Sequence, residues 1–103
     1  MLMTTTDVIP GKAYVTLGIV MGSFVNSKNI GHDIGASFKG LVGGELKSYT
    51  KMMDEARDQA FSKMEANAAA IGADAVIGIR ITSSAIMQGA SEVLAYGTAI
   101  KWA

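Results

Sequence analysis

The stretch that decides the fold runs from Tyr49 to Ile79, YTKMMDEARDQAFSKMEANAAAIGADAVIGI. On a 3.6-residue wheel Tyr49, Met53, Ala56, Ala60, Met64, Asn67 and Ile71 fall on one stripe, with Lys51, Asp54, Asp58, Ser62 and Glu65 opposite. That is the pattern of a helix with one packed face and one wet face. Gly72 enters the left-handed region without steric cost and so ends the helix. Within three residues the periodicity changes to that of a strand, so one long helix, Tyr49 to Ile71, feeds a buried strand.

Downstream, Ile77, Ile79 and Ile81 alternate with Val76, Gly78, Arg80 and Thr82. Val93 to Trp102 alternates too, with Leu94, Tyr96, Thr98, Ile100 and Trp102 opposite Val93, Ala95, Gly97, Ala99 and Lys101. Gln88-Gly89-Ala90-Ser91 between the two runs is turn-like, which makes them a hairpin. Upstream, Tyr14 to Met21 is a strand with Val15, Leu17, Ile19 and Met21 on one face and Tyr14, Thr16, Gly18 and Val20 on the other. Gly22 to Ser27 reads as a loop. From Lys28 to Val42 the positions Ile30, Ile34, Phe38, Leu41 and Val42 recur at helical spacing, although Gly31, Gly35 and Gly40 each weaken a helix by about 1 kcal/mol relative to Ala. This is a short, soft helix, broken by Gly43-Gly44. Near the start, Thr4-Thr5-Thr6 is β-prone and Pro10-Gly11 is a turn, which suits a short edge strand whose partner stays open.

The order predicts an α+β, two-layer β-α-β-β unit, in which a three-stranded antiparallel sheet has its Ile/Leu face covered by the long helix, with the soft helix in addition. The other sheet face carries Gly18, Gly78 and Gly97 beside Ala95, Ala99, Val20 and Val76. Such a face is too small and apolar for water, so the soft helix or a neighbouring subunit is expected to pack closely against it.

The 103 residues are expected to form a single domain, 1–103. A chain of this size buries only about 60–68% of its unfolded surface, so self-association would help it. Half the residues are apolar, 17% are charged, and Lys+Arg equals Asp+Glu. That leaves no electrostatic footprint for nucleic acid or an anionic membrane. The absence of cysteine removes disulfides, thiolate metal sites and thiol catalysis. The opening MLMTTTD has no basic region of the signal-peptide kind, and Gly, Ser and Thr interrupt every apolar run before it could span a bilayer. The expectation is a cytoplasmic protein with neither nucleic acid nor membrane as partner.

Gly43-Gly44, Tyr49, Ala56-Arg57, Ala60, Gly72-Ala73-Asp74-Ala75-Val76 with Gly78-Ile79, and Gly97-Thr98-Ala99 together resemble the YbjQ-like (UPF0145) family. Thr4-Thr5-Thr6 resembles that family's opening, and Asn29-Ile30, Asp33, Ala36 and Val42 its first-helix pattern. The resemblance covers nearly the whole chain and is most specific from Leu46 to Ile81. It implies a dodecin-like subunit that assembles into pentamers, sometimes doubled to decamers. The family carries a heavy-metal-binding label but no established biochemical role. The chain departs from it where His32 and Lys39 stand among usually basic first-helix positions, and where Glu45 replaces the Arg that usually follows the two glycines.

Few residues point to chemistry. His32-Asp33 holds the single imidazole, and a tight transition-metal site needs three or four ligands with His and Cys prominent. No metal site is expected from one subunit, and His32 could serve only if copies gathered on a symmetry axis. The seven methionines read as core filling. Arg57 reads as an ion pair with Asp54, and Asp74 as an acid bonding backbone amides in the turn after Gly72. The glycines lack phosphate-loop and dinucleotide-loop order, and no Ser, His and Asp set forms a catalytic elbow. The identity of any cofactor stays open. The leading expectation is a non-enzymatic, ring-forming homo-oligomer that binds a small ligand or ion at subunit interfaces. The alternative is an enzyme whose active site is shared between subunits and built from Asn29, Asp33, Tyr49 and Arg57, which would then converge in one interface cleft.

Overall fold

The computed structural model describes residues 1–27, 44–87 and 90–103. Its elements are β1 (Leu2–Met3), β2 (Tyr14–Ser27), α1 (Gly44–Ala70), β3 (Ala75–Met87) and β4 (Ala90–Trp102). Among the described residues the architecture is α+β, with one helix on a four-stranded mixed sheet of order β1-β3-β4-β2. The soft helix expected from Lys28 to Val42, with Asn29, His32 and Asp33, lies outside the described residues, as do Gln88 and Gly89 of the turn expected over Gln88-Gly89-Ala90-Ser91, whose Ala90 and Ser91 instead open β4.

Among the described residues the sheet has a fourth strand beyond the three main ones, at Leu2–Met3, just before the Thr4–Thr6 stretch that suited a short edge strand. Leu2 and Met3 pair in parallel with Ala75 and Val76. The following residues strap onto β3, with Thr4 N–H donating to Val76 O, Gly78 N–H to Thr6 O and Ile79 N–H to Thr4 O. The β-prone threonines thus engage β3 mainly through backbone groups. The three long strands also run further than their alternation indicated. Gly22–Ser27, read as a loop, pairs with Ala90–Ala95, and β3 continues to Met87 against β4. Small polar residues form strand here because each has a cross-strand neighbour, not because of propensity. The result is a three-stranded arm that gives the chain a radius of gyration of 16.6 Å and a length of 52 Å, against about 13 Å for a compact domain of this size.

The helix matches its predicted stripe at Tyr49, Ala56, Ala60 and Met64, all buried, with Ala68 as the next buried position. Asn67 and Ile71, assigned to the stripe, are exposed, because a seam that repeats every four residues after Ala56 runs 60, 64, 68. Gly72 closes the helix as anticipated, with φ at +81°. Its N–H bonds Ala69 O and the Ala73 N–H bonds Ala68 O, both at 3.0 Å, which is a Schellman ending.

The largest correction concerns which sheet face the helix covers. It covers the small face, not the Ile/Leu face: the main core joins Ala56, Ala60, Met64 and Ala68 to Val20, Val76, Ile79, Val93, Ala95 and Ala99. A helix lined by alanines can approach a sheet closely only where the sheet also presents small residues. Gly22 marks the closest point, since a Cβ there would fall on Ala60 O and Met64 N and lie 3.0 Å from Lys63 C. Close approach multiplies dispersion contacts that larger residues would hold apart.

Two bulges explain the rest of the face assignment. The β3–β4 register shifts between Ile77 and Arg80, where Gly78 has φ of +61°. The extra residue turns Ile79 toward the helix while Ile77 stays on the opposite side. There Ile77 joins Ala75 and Ile100 in a second cluster covered by Ile9, Tyr14 and Trp102. A second shift, between Thr16 and Gly18 on β2, places Tyr14 on that side as well. Uniform alternation had put Ile77, Ile79 and Ile81 on one face and Tyr14 opposite Ile19.

Candidate functional site

Because the helix took the small face, the opposite face of the β2–β4 pair is left with its large side chains. Met21 sits directly across from Tyr96, and Ile19 across from Thr98. Ile19 is 73% exposed, Met21 52% and Tyr96 39%. Among the described residues, the segment carrying Ile9 covers this face at the Ile77 and Ile100 end. Polar groups flank the rest: Ser23 Oγ donates to Glu92 Oε2 at 2.8 Å, and Arg80, across from Tyr96, donates from Nη1 to Thr5 O at 3.1 Å. An apolar patch bordered by such polar groups is the usual form of an interaction surface.

On the helix side, a groove of about 510 Å³ lies between the N-terminal strap and α1, lined by Met3, Thr4, Thr5, Phe61 and Ile79. The strap forms one wall because its backbone is hydrogen-bonded to β3, and Phe61 closes the other from the helix. The lining is apolar apart from the two threonines. Such a groove has the chemistry to hold a small apolar group with one hydroxyl contact at the rim.

The residues singled out from sequence fall as follows. Tyr49 is buried, 6% exposed. Arg57 is exposed and donates to Asp54 Oδ1 at 2.7 Å, as an i, i+3 ion pair. The two stand eight positions apart on the helix and neither lines the groove. Asp74 Oδ2 accepts from the Trp102 N–H at 2.8 Å, so it binds a backbone amide of the neighbouring strand end and not the turn itself. Among the described residues no group of three or more His, Cys, Asp or Glu could hold a metal ion. Sequence reasoning missed both the groove and the open face. The signal for the face was present in the alanines of the helix, which mark a helix that approaches a small surface closely.

A family model described as "Putative heavy-metal-binding" (YbjQ) matches residues 1–103. The chain is 56% identical to a UPF0145 protein of Thermosipho melanesiensis over 102 residues, covering 98% of this chain and 94% of that one. It is 54% identical over 102 residues to a UPF0145 protein of Thermotoga maritima, with 98% and 96% covered. Its fold is similar to a crystal structure from Pediococcus pentosaceus of a protein of unknown function in the DUF74 family, with a TM-score of 0.72 at 20% identity over 100% of this chain and 98% of that one.

Proposed function

The chain belongs to the YbjQ (UPF0145) family, and from that premise we propose that it acts as a non-enzymatic, ring-forming homo-oligomer that holds a small apolar ligand at its subunit interfaces. The observation that carries this reading is the sheet face at Ile19, Met21 and Tyr96, which is exposed among the described residues. Burying a large side chain fully is worth about 1.5–3 kcal/mol, so the exposed parts of these three offer roughly 3–4 kcal/mol toward association before its entropic cost. Five is the subunit number that the family resemblance implies. A cyclic ring is heterologous and needs two different patches on each subunit. The sheet face supplies one, and the groove beside Met3 and Phe61 lies on the opposite, helix-bearing side, where the next subunit would reach it.

The family's heavy-metal label does not fit the described donors. No cysteine exists in the chain, and Asp54, Glu55 and Asp58 lie exposed on the outer side of the helix. The methionines are dispersed between the core, the groove and the open face. An apolar ligand therefore suits the described surface better than an ion.

Native mass spectrometry of wild type and Tyr96→Glu tests the proposal, since it reads subunit number and retained ligand together. Wild type is expected as a ring with bound mass, and Tyr96→Glu as smaller species with unchanged circular dichroism. A stable wild-type monomer at micromolar concentration by light scattering would overturn it.

A further inference from the structure

The sheet's two outer edges are treated differently. On β2, α1 occupies backbone acceptors: Asn67 Nδ2 donates to Met21 O at 2.7 Å and Lys63 Nζ to Ser23 O at 3.1 Å. The Lys63 ammonium also lies 5.5 Å from the centre of the Phe24 ring. A lysine held against an edge strand is a recognised way to stop other strands from pairing there. On β3 the N-terminal strap occupies the edge only as far as Ile79 and Arg80. Beyond that, Ile81-Thr82-Ser83-Ser84-Ala85-Ile86-Met87 has no backbone partner on its outer side among the described residues. Every residue of this run is exposed, including Ile81, Ile86 and Met87 at 40%, 51% and 68%. It holds no charge, proline or glycine, and its one register shift against β4 falls at its far end, between Ala85 and Met87, so Ile81–Ala85 carries none of the charges, prolines or bulges that normally blunt an edge.

We propose that the Ile81–Met87 edge of β3 pairs antiparallel with the same edge of a second copy of this chain across a twofold axis, extending the sheet from one subunit into the next. This goes beyond the ring interface, which uses a sheet face and does not need an edge. Charge and order select the occupant. The run offers a charged peptide no counterpart, whereas a reversed copy matches it, with Ile81 and Ile86 toward the two ends and Thr82, Ser83, Ser84 and Ala85 between. The antiparallel arrangement also sends the two Arg80 guanidiniums to opposite ends, where a parallel one would set like charges side by side. A twofold pairing is isologous and demands an even number of subunits.

The test is the subunit count of wild type, Ser83→Lys and Ser84→Lys by native mass spectrometry and light scattering. An even wild-type count is expected, halved by either lysine, with the circular dichroism unchanged, and restored on mixing Ser83→Lys with Ser83→Glu. Hydrogen exchange of the wild-type 81–87 amides serves if the variants misfold, and concentration-dependent protection is expected. An odd wild-type count, an even count that both lysines leave intact, unprotected 81–87 amides, or protection supplied by a co-purifying strand of another protein overturns the proposal. The outcomes separate the two interfaces. A ten-subunit particle that falls to five supports both, a dimer that falls to monomer supports the edge alone, and a five-subunit wild type supports the ring alone.

Discussion

Replacing Gly22 with alanine asks directly which sheet face carries the helix. The added Cβ would fall on Ala60 O and Met64 N and stand 3.0 Å from Lys63 C. These are backbone atoms in the middle of α1, so no side chain can swing aside and the helix must lift. Overpacking of a tight core costs about 1–3 kcal/mol, and the lower unfolded-state entropy of alanine returns about 0.4–1 kcal/mol. With a rigid obstacle the upper half of the first range applies, which leaves a net loss of about 2 kcal/mol. For a domain of this size that lowers Tm by roughly 8–16 °C. Thermal melts followed by circular dichroism at one fixed protein concentration measure it, since association makes Tm concentration-dependent. Ile19→Ser on the open face is the control, expected to stay within about 0.5 kcal/mol of wild type under conditions that keep the chain monomeric. If Gly22→Ala melted with wild type while Ile19→Ser lost the larger amount, the helix would rest on the Ile/Leu face and the packing argument would fail.

At Gly78, φ is +61° and a Cβ would meet nothing nearer than Asp7 Oδ1 at 3.7 Å. Gly78→Ala should therefore cost about 1–2 kcal/mol through backbone strain alone, and Gly78→Asn less, as read by urea denaturation. Equal stability of the alanine variant would mean that the bulge is absent in solution. Calorimetric titration of Zn²⁺ and Cu²⁺ should show no submicromolar site in wild type. Binding that is lost in His32→Ala would reveal imidazoles gathered on a ring axis, and binding that survives it would reveal a carboxylate or thioether site.

The helix and its glycine ending were legible because a stripe of alanines and methionines and one C-terminal glycine are local signals. Strand identities were legible for the same reason, from alternation. What alternation could not carry was parity across a bulge: one added residue at Gly78 places Ile77 and Ile79 on different layers, and nothing in the spacing of isoleucines announces it. Strand length failed in Gly22–Ser27 and Ser83–Met87 because those residues become strand only by pairing with β4. The choice of face failed because burial was ranked by side-chain size, when closeness of approach at Gly22 decided it. For the candidate site, Tyr49 and Arg57 were chosen for chemistry alone, and the structure puts one in the core and the other in an exposed ion pair. The exposed face and the groove arise from three-dimensional subtraction, being what remains among the described residues after α1 and the strap have taken their places.

The bulge at Gly78 also binds the fate of two hydrophobic clusters together. Val76 and Ile79 belong to the cluster under the helix, while Ala75 and Ile77 belong to the one beneath Ile9 and Trp102. Four of the five residues from Ala75 to Ile79 are thus divided between the two clusters, and neither cluster can come apart while the other keeps that strand in place. The protein's two sides should therefore open as one cooperative unit, with the amides of Ala75–Ile79 among the last to exchange, however loosely the distal arm breathes.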